Sequence, residues 1–167
     1  MTMHPLEPPD SHHLAAAEGW LELSNPVEAN DELEKITPIK RAHPDVLKMR
    51  VRIYLEARKW EMALPVCEAL VKSLPENPFG WIHRSYALHE LKRTQEAYDL
   101  LIPAETRFPH EWVVPYNLAC YQCQLGRLPE ARSLLTKALE LDPSSKRNMQ
   151  ALEDPDLAPL WAKVPNK

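Results

Sequence analysis

YNLACYQCQLGRLPEARSLLTKALELDP, residues 116–143, holds two helix signals back to back. In its second half Ala131, Leu134, Leu135, Ala138 and Leu139 fall at i, i+3, i+4, i+7 and i+8, one apolar stripe on an amphipathic helix. Pro129 suits the first turn of that helix, where a missing N–H costs nothing, and Pro143 stops it. Gly126 marks the turn between the two helices. Neither helix can bury its stripe alone, so the pair needs neighbours.

The neighbours are in the chain. Sliding the sequence on itself by 34 residues brings four blocks into register, starting at Asp10, Pro44, Pro78 and Trp112. Block position 20 is Ala29, Ala63, Ala97 and Ala131, and position 24 is Leu33, Cys67, Leu101 and Leu135. Position 27 is Ile36, Leu70, Ala104 and Ala138, and position 8 is Ala17, Val51, Ser85 and Ala119. Small residues at positions 8 and 20 let two helices approach closely, while apolar residues at 24 and 27 fill the space against the next pair. An unrelated bundle would share the periodicity but would not place alanine at one phase four times.

Position 32 is Pro75, Pro109 and Pro143 in the last three blocks and Arg41 in the first, whose proline, Pro44, comes three residues late. These residues resemble the tetratricopeptide repeat family, most closely in Trp112 to Ser145 and least in the first block. The resemblance implies an all-α, right-handed solenoid of four helix-turn-helix repeats with a C-terminal capping helix, like that of small bacterial members. The repeats are expected at about 10–43, 44–77, 78–111 and 112–145, after an unstructured Pro-rich tail at 1–9 and before a capping helix and tail at 146–167. By register, first helices fall near 11–24, 45–58, 79–91 and 112–125, and second helices near 27–42, 61–73, 95–107 and 128–141. Pro38 and Pro103 then lie inside second helices and should kink them. In the cap, near 145–152, Met149 and Leu152 are expected to cover the last pair, with Leu157, Leu160 and Trp161 packing back. The stretch EDPDLAPLW, 153–161, resembles the tail that ends many bacterial tetratricopeptide proteins.

Composition narrows the function. With a mean hydropathy of -0.44 the chain has no apolar run approaching the roughly 20 residues of a membrane span. The first ten residues have no Lys or Arg before an apolar core, so no secretory signal is read there. Three cysteines suit a reducing compartment, and a cytoplasmic protein is expected. A pI near 6.0 and a net charge of -4 disfavour nucleic acid as a partner. The charge is uneven: residues 1–34 carry eight acids and no Lys or Arg, whereas 35–59 carry eight Lys/Arg against Asp45 and Glu56. The two runs either pair with each other across the first two blocks or leave a basic patch for an acidic partner.

No enzymatic centre and no cofactor are expected: there is no Gly-rich phosphate loop, HExxH or GxSxG. Cys120-Tyr-Gln-Cys123 is a CxxC, but it lies mid-helix and lacks the further ligands of a zinc site, so no metal is expected. His12 and His13 read as a solvated helix start.

What remains is binding. The resemblance implies a concave groove lined by first-helix residues that takes a peptide or protein segment. Carried onto this chain, its positions hold Lys48 and Arg52 in block two, Phe79, Ile82, Tyr86 and His89 in block three, and Tyr116 and Cys120 in block four. That groove is basic in block two and apolar-aromatic beyond it. It serves an unidentified protein or peptide, or is covered by the chain's own tail or a second copy in a homo-oligomer. The carboxylate-clamp pattern of chaperone-binding members is matched by Lys48 alone. A chaperone-like holder of an apolar segment, as among type III secretion translocator chaperones, fits the length and groove character without a specific motif.

Overall fold

A computed structural model describes residues 4–162. Among the described residues ten α-helices form: α1 (Asp10–Glu22), α2 (Pro26–Lys35), α3 (Pro44–Glu56), α4 (Trp60–Ser73), α5 (Pro78–Glu90), α6 (Thr94–Arg107), α7 (Val113–Gln124), α8 (Leu128–Leu141), α9 (Ser145–Glu153) and α10 (Ala158–Trp161). Among the described residues there is no strand, and the fold is the all-α helix-pair repeat that the sequence predicts. Among the described residues no helix is long and apolar enough to cross a membrane.

The helices cluster into two compact units, residues 1–83 and 84–167, with the boundary inside α5. In the first, α1 packs on α2, α3 on α4, and α3 also against α1 and α2. Its core joins Ala17, Ala29, Leu33, Ile36, Val46, Met49 and Ile53, with Leu6 from the Pro-rich start packed on it. A second cluster, Val51, Cys67 and Leu70, takes in Leu47, Leu74 and Phe79. Gly80 approaches α4 so closely that a Cβ there would sit 3.0 Å from the Val71 amide nitrogen. In the second unit α7 packs on α6 and α8, and α10 closes on α7, α8 and α9.

The repeat phases are the burial phases. Ala29 and Ala63 in one unit, and Ala97 and Ala131 in the other, are all 0% exposed. Position 8 is equally closed, at 0% for Ala17, Val51, Ser85 and Ala119. The Ser85 hydroxyl is kept there by a 3.0 Å hydrogen bond with the Tyr121 hydroxyl.

A further feature recurs every 34 residues. Ser24, Arg58, Lys92 and Gly126 all have positive φ, at 54°, 54°, 63° and 78°. Each is followed by a residue whose N–H bonds back to a carbonyl near the end of the first helix, from Asn25 to Trp20, Lys59 to Tyr54, Arg93 to Leu88 and Arg127 to Gln122. That is the left-handed cap that ends a first helix and turns the chain into the second. Three of the four turns make a residue with a side chain adopt a conformation only glycine takes freely.

Two expectations need correction. The second helix of block one ends at Lys35, not near residue 42, so Pro38 lies in no α-helix. Pro38 pushes Thr37 to ψ 127° and removes a donor, so it instead opens the 3-10 turn Pro38–Lys40. Asp10 takes up the freed chain: its Oδ1 accepts from the Thr37 N–H at 2.8 Å and the Thr37 hydroxyl at 3.1 Å. Pro103, and also Pro65, lie inside helices that continue past them. Both are exposed, so water can reach the carbonyl each leaves without a partner. The second correction is at the cap: Met149 and Leu152 are 55% and 58% exposed, and Ala151 is the residue of α9 that is buried. The Trp161 indole N–H instead reaches the Ala151 carbonyl at 3.2 Å, while Leu157 and Leu160 are buried as expected.

Replacing Arg58 by Gly relieves the left-handed turn at an exposed position, and urea unfolding should give a protein more stable by roughly 0.5–1 kcal/mol. A destabilised variant would mean that the turn is not strained.

Candidate functional site

The acidic and basic runs meet within the first unit. Arg50 Nη1 lies 2.8 Å from Glu34, Arg52 Nη1 3.0 Å from Glu18, and Arg41 Nη1 2.8 Å from Glu34. These pairs are partly exposed, so each contributes on the order of 0–1 kcal/mol. Arg41, Arg50 and Arg52 of the basic run thus pair with Glu18 and Glu34 of the acidic one. Arg52, a candidate groove cation, is engaged with Glu18; Lys48 has only the more distant Asp45 at 3.9 Å. Lys48 and Phe79 line one shallow crevice together with Leu70, Leu74, Asn77 and Gly80. Phe79 stacks on His83 with ring centroids 3.9 Å apart, and Ile82 lies half-buried on the same helix. Burial pushes His83 below its ordinary value, with the nearby Arg52 charge adding to that effect. A separate crevice of about 250 Å³, lined by Val27, Glu34, Arg50, Tyr54 and Met62, was not indicated by the sequence.

In the second unit the predicted residues meet the chain's own C-terminal segment. Tyr116 Oη donates to Asp154 Oδ2 at 2.8 Å, and Cys120 Sγ lies 4.0 Å from the same oxygen. His89 Nε2 lies 3.1 Å from Asp156 Oδ2, and its Nδ1 lies 3.0 Å from the Thr94 hydroxyl. Gln124 Nε2 donates to the Asp156 carbonyl at 2.8 Å. Leu157 follows at 0% exposure, and Tyr86 is 37% exposed. Sequence reasoning missed Asp154 and Asp156. Their signal was present in Asp154-Pro155-Asp156, since Asp154 Oδ1 caps the 3-10 turn by accepting from the Asp156 N–H at 2.9 Å.

The electrostatics follow from these partners. The His89 hydrogen bond, opposed by burial, holds the Asp156 carboxyl below the usual range, and Lys92 adds to the lowering. Burial and the facing Asp154 push the Tyr116 hydroxyl up. The Cys120 and Cys123 thiols are also raised, chiefly by burial, so neither has the thiolate character of a redox CxxC. Cys120, Asp154 and Asp156 bring three possible metal ligands within 4.8 Å of one another. Both carboxylates are already hydrogen-bonded and the thiol is held protonated, a poor start for an ion.

These helix pairs define a helical-repeat protein. Residues 116–145 match the family model described as tetratricopeptide repeat. Three solved structures show the same fold. A thermophilic TPR protein of Thermus thermophilus, TTC0263, is 20% identical with a TM-score of 0.75, over 91% of this chain and 81% of that one. MamA from residue 41 to its end, of Desulfovibrio magneticus RS-1, is 17% identical with a TM-score of 0.72, over 93% and 91%. YrrB, described as a TPR protein with an unusual peptide-binding site, is 17% identical with a TM-score of 0.69, over 87% and 75%. No curated protein matches the sequence.

Because the folded Asp156 carboxyl is depressed, its contribution is complete above the unfolded value near about 3.9 and is lost as pH falls through the lower folded value. Thermal unfolding followed from pH 5 to pH 2.5 should therefore show a smaller acid-induced drop in Tm for Asp156→Asn than for wild type. Equal drops would mean that the His89 contact contributes nothing.

Proposed function

We propose that this protein is an interaction scaffold that binds a peptide or protein segment on the exposed faces of its first helices. The observation that carries the reading is Lys48 beside Phe79 in the first unit, a cation whose ion pair with Asp45 is long, at 3.9 Å, next to an aromatic face. Arg52, with its exposed partner Glu18, supplies a second cation, and Ile82 adds apolar surface. That chemistry suits a segment with an acidic group and an aliphatic or aromatic anchor, bound at micromolar strength, about -8 kcal/mol. The helix-pair fold supports the reading by analogy, and YrrB is a structural neighbour described by its peptide-binding site. In the second unit Tyr86, His89, Tyr116 and Cys120 belong to the same proposal, although the last three face the chain's own C-terminal segment.

Selection from a displayed random-peptide library tests this directly. Wild type should enrich acidic sequences with an apolar anchor, and Lys48→Glu should lose at least tenfold of that enrichment while retaining its helical circular dichroism. The same sequences enriched equally by both proteins would refute the assignment.

A further inference from the structure

The C-terminal segment touches the α7 face in the manner of a bound peptide. Its recognition uses three kinds of contact at once. Two carboxylates are met by separate partners, Asp154 by the Tyr116 hydroxyl at 2.8 Å and Asp156 by His89 Nε2 at 3.1 Å. One backbone carbonyl, that of Asp156, is met by Gln124 Nε2 at 2.8 Å. One apolar side chain, Leu157, is fully buried. Pro155 between the two acids is exposed and makes no part of the recognition. The partners on the helices are a hydroxyl, a ring nitrogen and a side-chain amide, with Lys92 adding positive charge toward Asp156. They come from α5 and α7, and with the segment in place His89, Tyr116 and the neighbouring Cys120 are 6%, 4% and 5% exposed. A polar face that meets two carboxylates and a carbonyl with separate donors discriminates by charge and position.

We infer that the face carrying His89, Tyr116 and Gln124 is a recognition site for acidic Asp-x-Asp-Leu segments of partner proteins, filled in cis by residues 154–157 until such a segment displaces them. The inference rests on the scaffold reading and deepens it by naming the ligand chemistry of one face. A tethered segment acts at an effective concentration on the order of millimolar. A partner segment of micromolar intrinsic affinity is then weakened roughly a thousandfold in the resting protein. The site therefore responds only to partners that present the motif at high local concentration or with additional contacts.

The test uses the full chain and a labelled synthetic peptide of residues 153–158, EDPDLA, followed by fluorescence anisotropy. Wild type should bind it weakly. The double variant Asp154→Asn/Asp156→Asn, whose own segment holds on less well, should bind at least tenfold more tightly. Adding Tyr116→Phe to that variant should remove most of the gain, and a peptide with both Asp changed to Asn should not bind. Equal affinity of wild type and double variant, or equal affinity for the Asp and Asn peptides, overturns the inference. Should the double variant lose helical structure, unmodified wild type decides the question. Millimolar peptide should speed hydrogen exchange at residues 154–157, and unchanged exchange overturns the inference. Failure here with Lys48-dependent peptide selection intact would remove this site and leave the scaffold reading standing.

Discussion

The close approach of paired helices at one small residue per repeat is the constraint on which the rest depends. Ala29, Ala63, Ala97 and Ala131 have no room for solvent, and the residues four and seven positions later, from Leu33 and Ile36 to Leu135 and Ala138, are buried with them. A larger side chain at these phases would push the helices apart and forfeit contacts along their whole length. In the first unit α3 completes the core that α1 and α2 begin, so packing between neighbouring pairs, and not the single hairpin, carries the stability there. The left-handed turns at Ser24, Arg58, Lys92 and Gly126 keep this spacing in phase by fixing where each second helix begins.

The parts of the structure most legible in the sequence are those set by this repeat. Alanine recurring every 34 residues marked the helix pairs, and the prolines at helix starts marked boundaries within a few residues, because both act through local backbone physics. Pro38 shows the limit. A helical register carried over from the other blocks extended α2 across it, whereas the proline's own backbone demands ended the helix at Lys35. The cap shows another: α9 has Met149 and Leu152 together on one face, at i and i+3, and Ala151 on another, and only long-range packing selects Ala151. Arg58 and Lys92 in left-handed turns were hidden because neither residue type advertises that conformation.

The candidate site was legible by halves. Tyr116, Cys120 and His89 were placed by phase alone, and phase cannot say what they touch. Their partners, Asp154 and Asp156, lie 38 and 67 positions downstream of Tyr116 and His89, respectively, a separation that no local pattern spans. Donors facing carboxylates occur in two settings: Lys48 near Asp45 beside Phe79 in one unit, and a face that meets the acidic segment of residues 154–156 in the other. A scaffold of this design would differ from face to face in availability as well as in specificity.

Urea unfolding of two substitutions on one helix tests the central claim most directly. Ala63 is fully buried at the repeat phase, and Ala69, further along the same helix, is exposed. Ala63→Leu should lose about 1–3 kcal/mol by overpacking, while Ala69→Leu should stay within about 0.5 kcal/mol of wild type. Equal stabilities for the two variants would contradict the account, because close helix contact at the repeated alanine would then not be what holds the chain together.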